Sequence, residues 1–141
     1  MKILLVDDDQ ALVIIFETAL QKEQFETVTA SEGKKGLEEA INQKPDFILL
    51  DQVLPDMPGN DVLKQLKANE VTKNIPVAML SNFGQNELVE DAINHGALDY
   101  ILKYQVEPQD LVNKVKDLLK QTQQTTEASQ PSQAPNTNQQ Q

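Results

Sequence analysis

The sequence predicts an α/β fold: a five-stranded parallel sheet doubly wound by helices, (βα)5. Three observations point there. Short continuous apolar runs alternate with longer stretches of helical periodicity, as strands covered on both faces do. Aromatic residues make up 4% of a chain that is 39% hydrophobic, so the core must be aliphatic. A length of 141 residues suits one domain with a sizeable core.

The first strand is Ile3–Val6, followed by a helix over 9–22 with Leu12, Phe16 and Leu20 on one core-facing stripe. Asp9 stands where it can cap that helix or favour its dipole. The second strand, Phe25–Ala30, carries the alternating "FETVTA" expected at a sheet edge. A helix over 32–43 follows, and its charged cluster "EGKKGLEEA" reads as a solvated face. Pro45 introduces a third strand, Phe47–Leu50; Gly59 precedes a helix over 60–68; Pro76 introduces a fourth strand, Val77–Leu80. Gly96 ends a helix over 86–95, which leaves His95 close to terminal carbonyls rather than in a site. A fifth strand, Leu98–Leu102, and a helix over 108–120 complete the alternation, with right-handed crossovers. Composition then changes to "QTQQTTEASQPSQAPNTNQQQ". Residues 1–121 are expected to form the domain. Residues 122–141 are expected to be a disordered tail rich in Gln, Thr, Ser and Pro, with too little apolar surface to offset its ordering entropy.

Composition excludes several functions. The net charge is −10 and the sequence pI about 4.4, and every basic residue is Lys, which argues against direct nucleic-acid binding or docking to an anionic membrane. Without Cys there is no disulfide framework or thiolate chemistry, and a single His excludes a His-rich metal site. The start carries no signal-peptide pattern and no apolar run is long enough to span a bilayer, so a cytoplasmic location is expected.

The chemistry gathers where ligands bind in open α/β sheets, outside the carboxyl ends of the strands. Strand 1 runs into Asp7 and Asp8, strand 3 into Asp51, strand 4 into Ser81 and strand 5 into Lys103. Each alone would be unremarkable; their coincidence is not. Two carboxylates ~4 Å apart repel by about 4 kcal/mol at an effective dielectric of ~20. Either these acids splay into water or they share a cation. Oxygen-only ligands with spare coordination positions suit Mg²⁺, and a carboxylate beside it can act as a nucleophile toward a phosphoryl group. Lys103 and Ser81 would supply positive charge and a hydrogen bond to the phosphoryl oxygens.

Four pieces, "LLVDDD", "PDFILLDQVLPDMPG", "IPVAMLSN" and "GALDYILK", stand in this order, and through them the chain resembles the receiver domains of bacterial two-component response regulators, the stand-alone chemotaxis-regulator type included. The resemblance implies a flavodoxin-like strand order 2-1-3-4-5 and phosphorylation of Asp51 by a sensor histidine kinase or a histidine phosphotransfer protein. It further implies Mg²⁺ held directly by Asp8 and Asp51 and by the backbone carbonyl of Val53, with Asp7 acting largely through water. Lys103 would bridge Asp51 and phosphate. Ser81 would bind a phosphoryl oxygen, and Tyr100 would follow it as the switch aromatic; without the motif Tyr100 reads as a half-buried strand residue. Pro55 and Gly59 match the loop closing under the acceptor. The output face would be helix 4, strand 5 and helix 5, binding a target protein or a second copy. Such a protein is a switch that catalyses only its own phosphotransfer and self-dephosphorylation.

Three positions depart from the family pattern. Tyr104 follows Lys103 where many members have a cis proline, so either a strained cis bond persists or the loop takes a trans route. Asn82 replaces a small residue after the hydroxyl, and Pro58 stands where an acid often precedes the glycine. Other functions fit less well. A phosphorylation-independent interaction module would not need the full acceptor set; a phosphohydrolase would need a general acid where Val53 stands; a nucleotide-binding domain would need G-x-G-x-x-G or G-x-x-x-x-G-K-[ST].

Overall fold

A computed structural model describes residues 1–129. Its elements run β1 (Lys2–Val6), α1 (Gln10–Lys22), β2 (Glu26–Ala30), α2 (Gly33–Gln43), β3 (Phe47–Leu50), α3 (Gly59–Ala68), β4 (Val77–Ser81), α4 (Asn86–Asn94), β5 (Asp99–Leu102), a single 3-10 turn (Lys103–Gln105) and α5 (Pro108–Ser129). The strands form one parallel sheet in the order β2-β1-β3-β4-β5. The expected order is therefore the observed one, and β2 lies at an edge.

Two-residue alternation divides the core between the two faces of the sheet. Ile3 and Leu5 of β1, Phe47 and Leu49 of β3, and Ala78 and Leu80 of β4 pack with Phe16 and Leu20 of α1 and with Leu111, Val112 and Val115 of α5. Their neighbours Leu4 and Val6, Ile48 and Leu50, and Val77 and Met79 pack on the other face with Ala40 of α2, Val62, Leu63 and Leu66 of α3, and Ala92 of α4. Strands buried on both faces have no room for a polar alternation, which is why they read as continuous apolar runs. Asp9 caps α1, accepting from the Leu12 N–H at 3.2 Å.

Helix α5 runs on to Ser129, past the domain boundary expected at residue 121. Once a helix is nucleated each further residue adds a hydrogen bond, and Gln, Glu and Ala propagate it without a Gly or Pro before Pro131. The rest of the expected tail, 130–141, lies outside the described residues.

Register decides what meets at the carboxyl edge. Val6 pairs with Leu50, Leu50 with Met79, and Ser81 with Leu102. The residues that follow β1, β3 and β5 thus emerge side by side around Ser81. Asp7 and Asp51 prolong the ladders by one bond each, Asp7 N–H to Ala30 O and Asp51 N–H to Val6 O, both 2.9 Å.

Candidate phosphoacceptor site

Asp7 and Asp51 leave their strands pointing into the edge and are buried, with 1% and 5% exposure; Asp8, one residue on, is exposed. One carboxylate oxygen from each of the three lies within 4.8 Å of the others. Lys103, at the end of β5, enters the cluster through a side chain only 7% exposed. Its Nζ lies 2.8 Å from Asp7 Oδ2 and 3.3 Å from Asp51 Oδ2. The lysine therefore sits nearer to Asp7 than to the acceptor candidate, a pairing the sequence did not suggest.

These distances set the ionisation of the site. Burial, reinforced by the Asp7 carboxylate, pushes the Asp51 carboxyl up to about 6, against the opposing pull of Lys103. Burial disfavours the Lys103 ammonium, yet Asp7 and Asp51 together outweigh that and raise its pKa. One cation facing two buried carboxylates leaves the cluster short of positive charge. Asp7 Oδ1 accepts from the Asp9 N–H at 2.9 Å, whereas Asp7 Oδ2 has no polar partner but Lys103 among the described residues. A hard divalent cation fits this donor set, because it supplies charge where oxygens converge with free lone pairs. Asp7, Asp8 and Asp51 are the side chains that could hold it.

Ser81 is fully buried, and its Oγ accepts from the Phe83 N–H at 3.0 Å. The Tyr100 hydroxyl donates to the Phe83 carbonyl at 2.7 Å. Hydroxyl and aromatic are thus linked through the backbone of Phe83, a connection with no counterpart in the residue pattern. The Lys103–Tyr104 bond is trans and the chain turns there in a 3-10 turn, so Lys103 reaches the cluster by the trans route. Asn82 is exposed, and Pro58 precedes α3 without a side-chain capping bond. His95 Nδ1 lies 2.8 Å from the Asp91 carbonyl and 3.2 Å from the Asp91 carboxylate at the end of α4, where its position before Gly96 puts it beside terminal carbonyls.

Under the acceptor the loop is tight. Gly59 N–H donates to Gln52 O at 2.6 Å, and a Cβ on Gly59 would lie 2.1 Å from the carbonyl oxygen of Asp51 and 2.8 Å from Gln52 Cα. Both are backbone atoms that cannot swing aside. Gly59→Ala is expected to destabilise the protein by about 1–2 kcal/mol and to shift the Asp51 backbone. Urea unfolding measures the first and amide chemical shifts of residues 50–53 the second; an unperturbed variant would contradict the close approach.

Residues 3–116 match the profile of the response regulator receiver domain. The chain is 30% identical over 119 residues to Sporulation initiation phosphotransferase F of Bacillus subtilis, covering 84% of this chain and 90% of that protein. It is 33% identical over 120 residues to Phosphate regulon transcriptional regulatory protein PhoB of Pseudomonas aeruginosa, covering 85% of this chain but 52% of that protein. The chain thus spans about half the length of several transcriptional regulators that it matches. Among solved structures, a CheY-like receiver domain protein from Methanospirillum hungatei JF-1 superposes with a TM-score of 0.81 at 31% identity, covering 88% of this chain and 97% of that one. A fold, an acidic edge and a sequence profile that agree over the same residues leave one assignment: the chain belongs to the response regulator receiver domain family of two-component signal transduction.

Proposed function

We propose that Asp51 is the phosphoacceptor, receiving a phosphoryl group from the phosphohistidine of a sensor histidine kinase or a histidine phosphotransfer protein. The observation that carries this is the buried Asp51 carboxylate, in an edge shared with Asp7, Asp8, Ser81 and Lys103. Asp51 attacks phosphorus with one carboxylate oxygen; that O–P bond forms as the N–P bond breaks, and the electron pair leaves on the imidazole. Asp7, Asp8, Asp51 and the Val53 carbonyl would hold Mg²⁺, with Asp7 acting largely through water. Bound there, it would neutralise charge on the transferring group. Lys103 would bridge Asp51 and a phosphoryl oxygen, and the Ser81 hydroxyl would donate to another.

The link through Phe83 gives the switch a physical route. A Ser81 hydroxyl drawn to phosphate shifts the acceptor of the Phe83 N–H, and the Phe83 carbonyl holds the Tyr100 hydroxyl. Tyr100 lies on β5, so the change reaches the face of α4, β5 and α5, where a target protein or a second copy would bind. The cytoplasm is the expected compartment, and among the described residues no helix is long and apolar enough to cross a membrane.

Acetyl phosphate with Mg²⁺ is expected to add one phosphoryl group to the parent and none to Asp51→Asn, whose amide keeps the shape but is not nucleophilic. Intact-protein mass measures this; stoichiometric labelling of the variant would place the acceptor elsewhere.

The lifetime of the phosphorylated state follows from what guards the approach of water. Val53 and Phe83 are 53% and 46% exposed and line a groove of about 480 Å³ beside the acceptor, with Leu54, Pro55, Met57 and Leu88. Neither side chain can orient water, so self-dephosphorylation should be slow. Replacing Val53 with Asn and Phe83 with Glu should each lower the barrier by ~1 kcal/mol, a several-fold acceleration. The decay of phosphoprotein after donor removal measures it, and equal decay in parent and double variant would refute it.

A further inference from the structure

Helix α2 begins without a cap of its own. Glu32 stands at its N-cap with extended backbone and makes no side-chain bond to the first turn. The N–H groups of that turn are taken instead from the β3–α3 loop: Asp56 Oδ1 accepts from Gly33 at 2.7 Å and Oδ2 from Lys34 at 2.9 Å. The bonds from Lys34 and Gly33 hold the Asp56 carboxyl below the usual carboxylate range. Met57, the next residue, seats where Gly33 leaves space; a Cβ there would come 2.7 Å from Met57 Cγ and 2.8 Å from Val62 Cγ2. The loop is also closed on itself by a bridge between Val53 and Pro58. A carboxylate on a loop that begins at Asp51 therefore ties that loop to a neighbouring helix.

We propose that Asp56 is a positioning residue for phosphoryl transfer: by capping α2 in trans it fixes the β3–α3 loop and with it the Val53 carbonyl. This rests on the Mg²⁺ site proposed above. A ligand on a loop already held in place costs little ordering entropy when the cation binds, whereas a loosened loop must be ordered at that moment. Asp56 touches none of the reacting groups, so its effect reaches them through the loop backbone and the Val53–Pro58 bridge. The alternative is that Asp56 merely stabilises α2.

Two variants separate these roles: Asp56→Ala, and Asp56→Ala combined with Glu32→Ser, which gives α2 a cap from its own N-cap residue. Mg²⁺ is titrated into each and into the parent, with binding followed by amide chemical shifts and stability by thermal melting. The expected result is that both variants bind Mg²⁺ about tenfold more weakly than the parent, as loss of a supporting contact typically gives, although the double variant melts near the parent. Affinity that returns together with stability in the double variant would overturn the proposal, as would parental affinity in Asp56→Ala. A parent whose shifts do not respond to Mg²⁺ would instead overturn the metal site, and this inference with it.

Discussion

Lys103→Ala is expected to cost the metal-free protein about 2–3 kcal/mol near pH 8 and far less near pH 5. Among the described residues the lysine is the one cation facing Asp7 and Asp51, across 2.8 and 3.3 Å, and its side chain is nearly as sequestered as theirs. Removing one partner of a buried pair usually costs 3–5 kcal/mol, roughly, because the other charge is left uncompensated. Here part of that is relieved. Asp51 already holds its proton up to about 6, and without Lys103, the largest opposing influence, it holds it higher still. A carboxyl whose folded pKa is raised above its unfolded value contributes stability at low pH that is lost as pH rises through the folded pKa. The variant should therefore recover on acidification as a proton replaces the ammonium. Urea unfolding of parent and variant at the two pH values measures this. A loss independent of pH would mean that the lysine contributes only the packing of its stem.

Asp51→Asn should have the opposite sign. Its amide resembles the protonated carboxyl and never ionises, so the variant avoids the cost the parent meets when Asp51 loses its proton in the folded state. That cost accumulates as pH rises from 3.8, the ordinary value, to about 6. Above this window the metal-free variant should be more stable than the parent by about 1–3 kcal/mol, and below it the two should converge. The raised pKa already includes the attraction of Lys103, so the loss of that ion pair is not a separate term to subtract. Denaturation across the pH range checks both the sign and the window. A variant less stable than the parent at neutral pH would show that Asp51 is held as a net stabilising charge.

These opposed effects come from residues whose placement was readable in the chain. Asp7, Asp8, Asp51, Ser81 and Lys103 each end a continuous apolar run, and in a parallel sheet all such ends lie on one edge. The fold was legible for the same reason, since strands buried on both faces leave an unbroken apolar trace. What was not legible depends on contacts between distant segments. No local pattern announces that Asp56 caps α2 from 22 and 23 positions away, or that Lys103 favours Asp7. The link from Ser81 to Tyr100 runs through the main chain of Phe83, and backbone polar groups are the same at every residue. The run of α5 on to Ser129 was not legible, because a composition poor in apolar residues still propagates a helix that packing has started.

The phosphoryl group is expected on the Asp51 carboxylate. An acyl phosphate, unlike a free carboxylate or a phosphate ester, is reduced by borohydride, which converts its aspartate to homoserine. Parent protein treated with acetyl phosphate and Mg²⁺, reduced, digested and read by peptide mass spectrometry should carry homoserine at Asp51 and keep Asp7, Asp8 and Asp9 intact. Homoserine at another aspartate, with Asp51 unmodified, would place the acceptor there and not at Asp51.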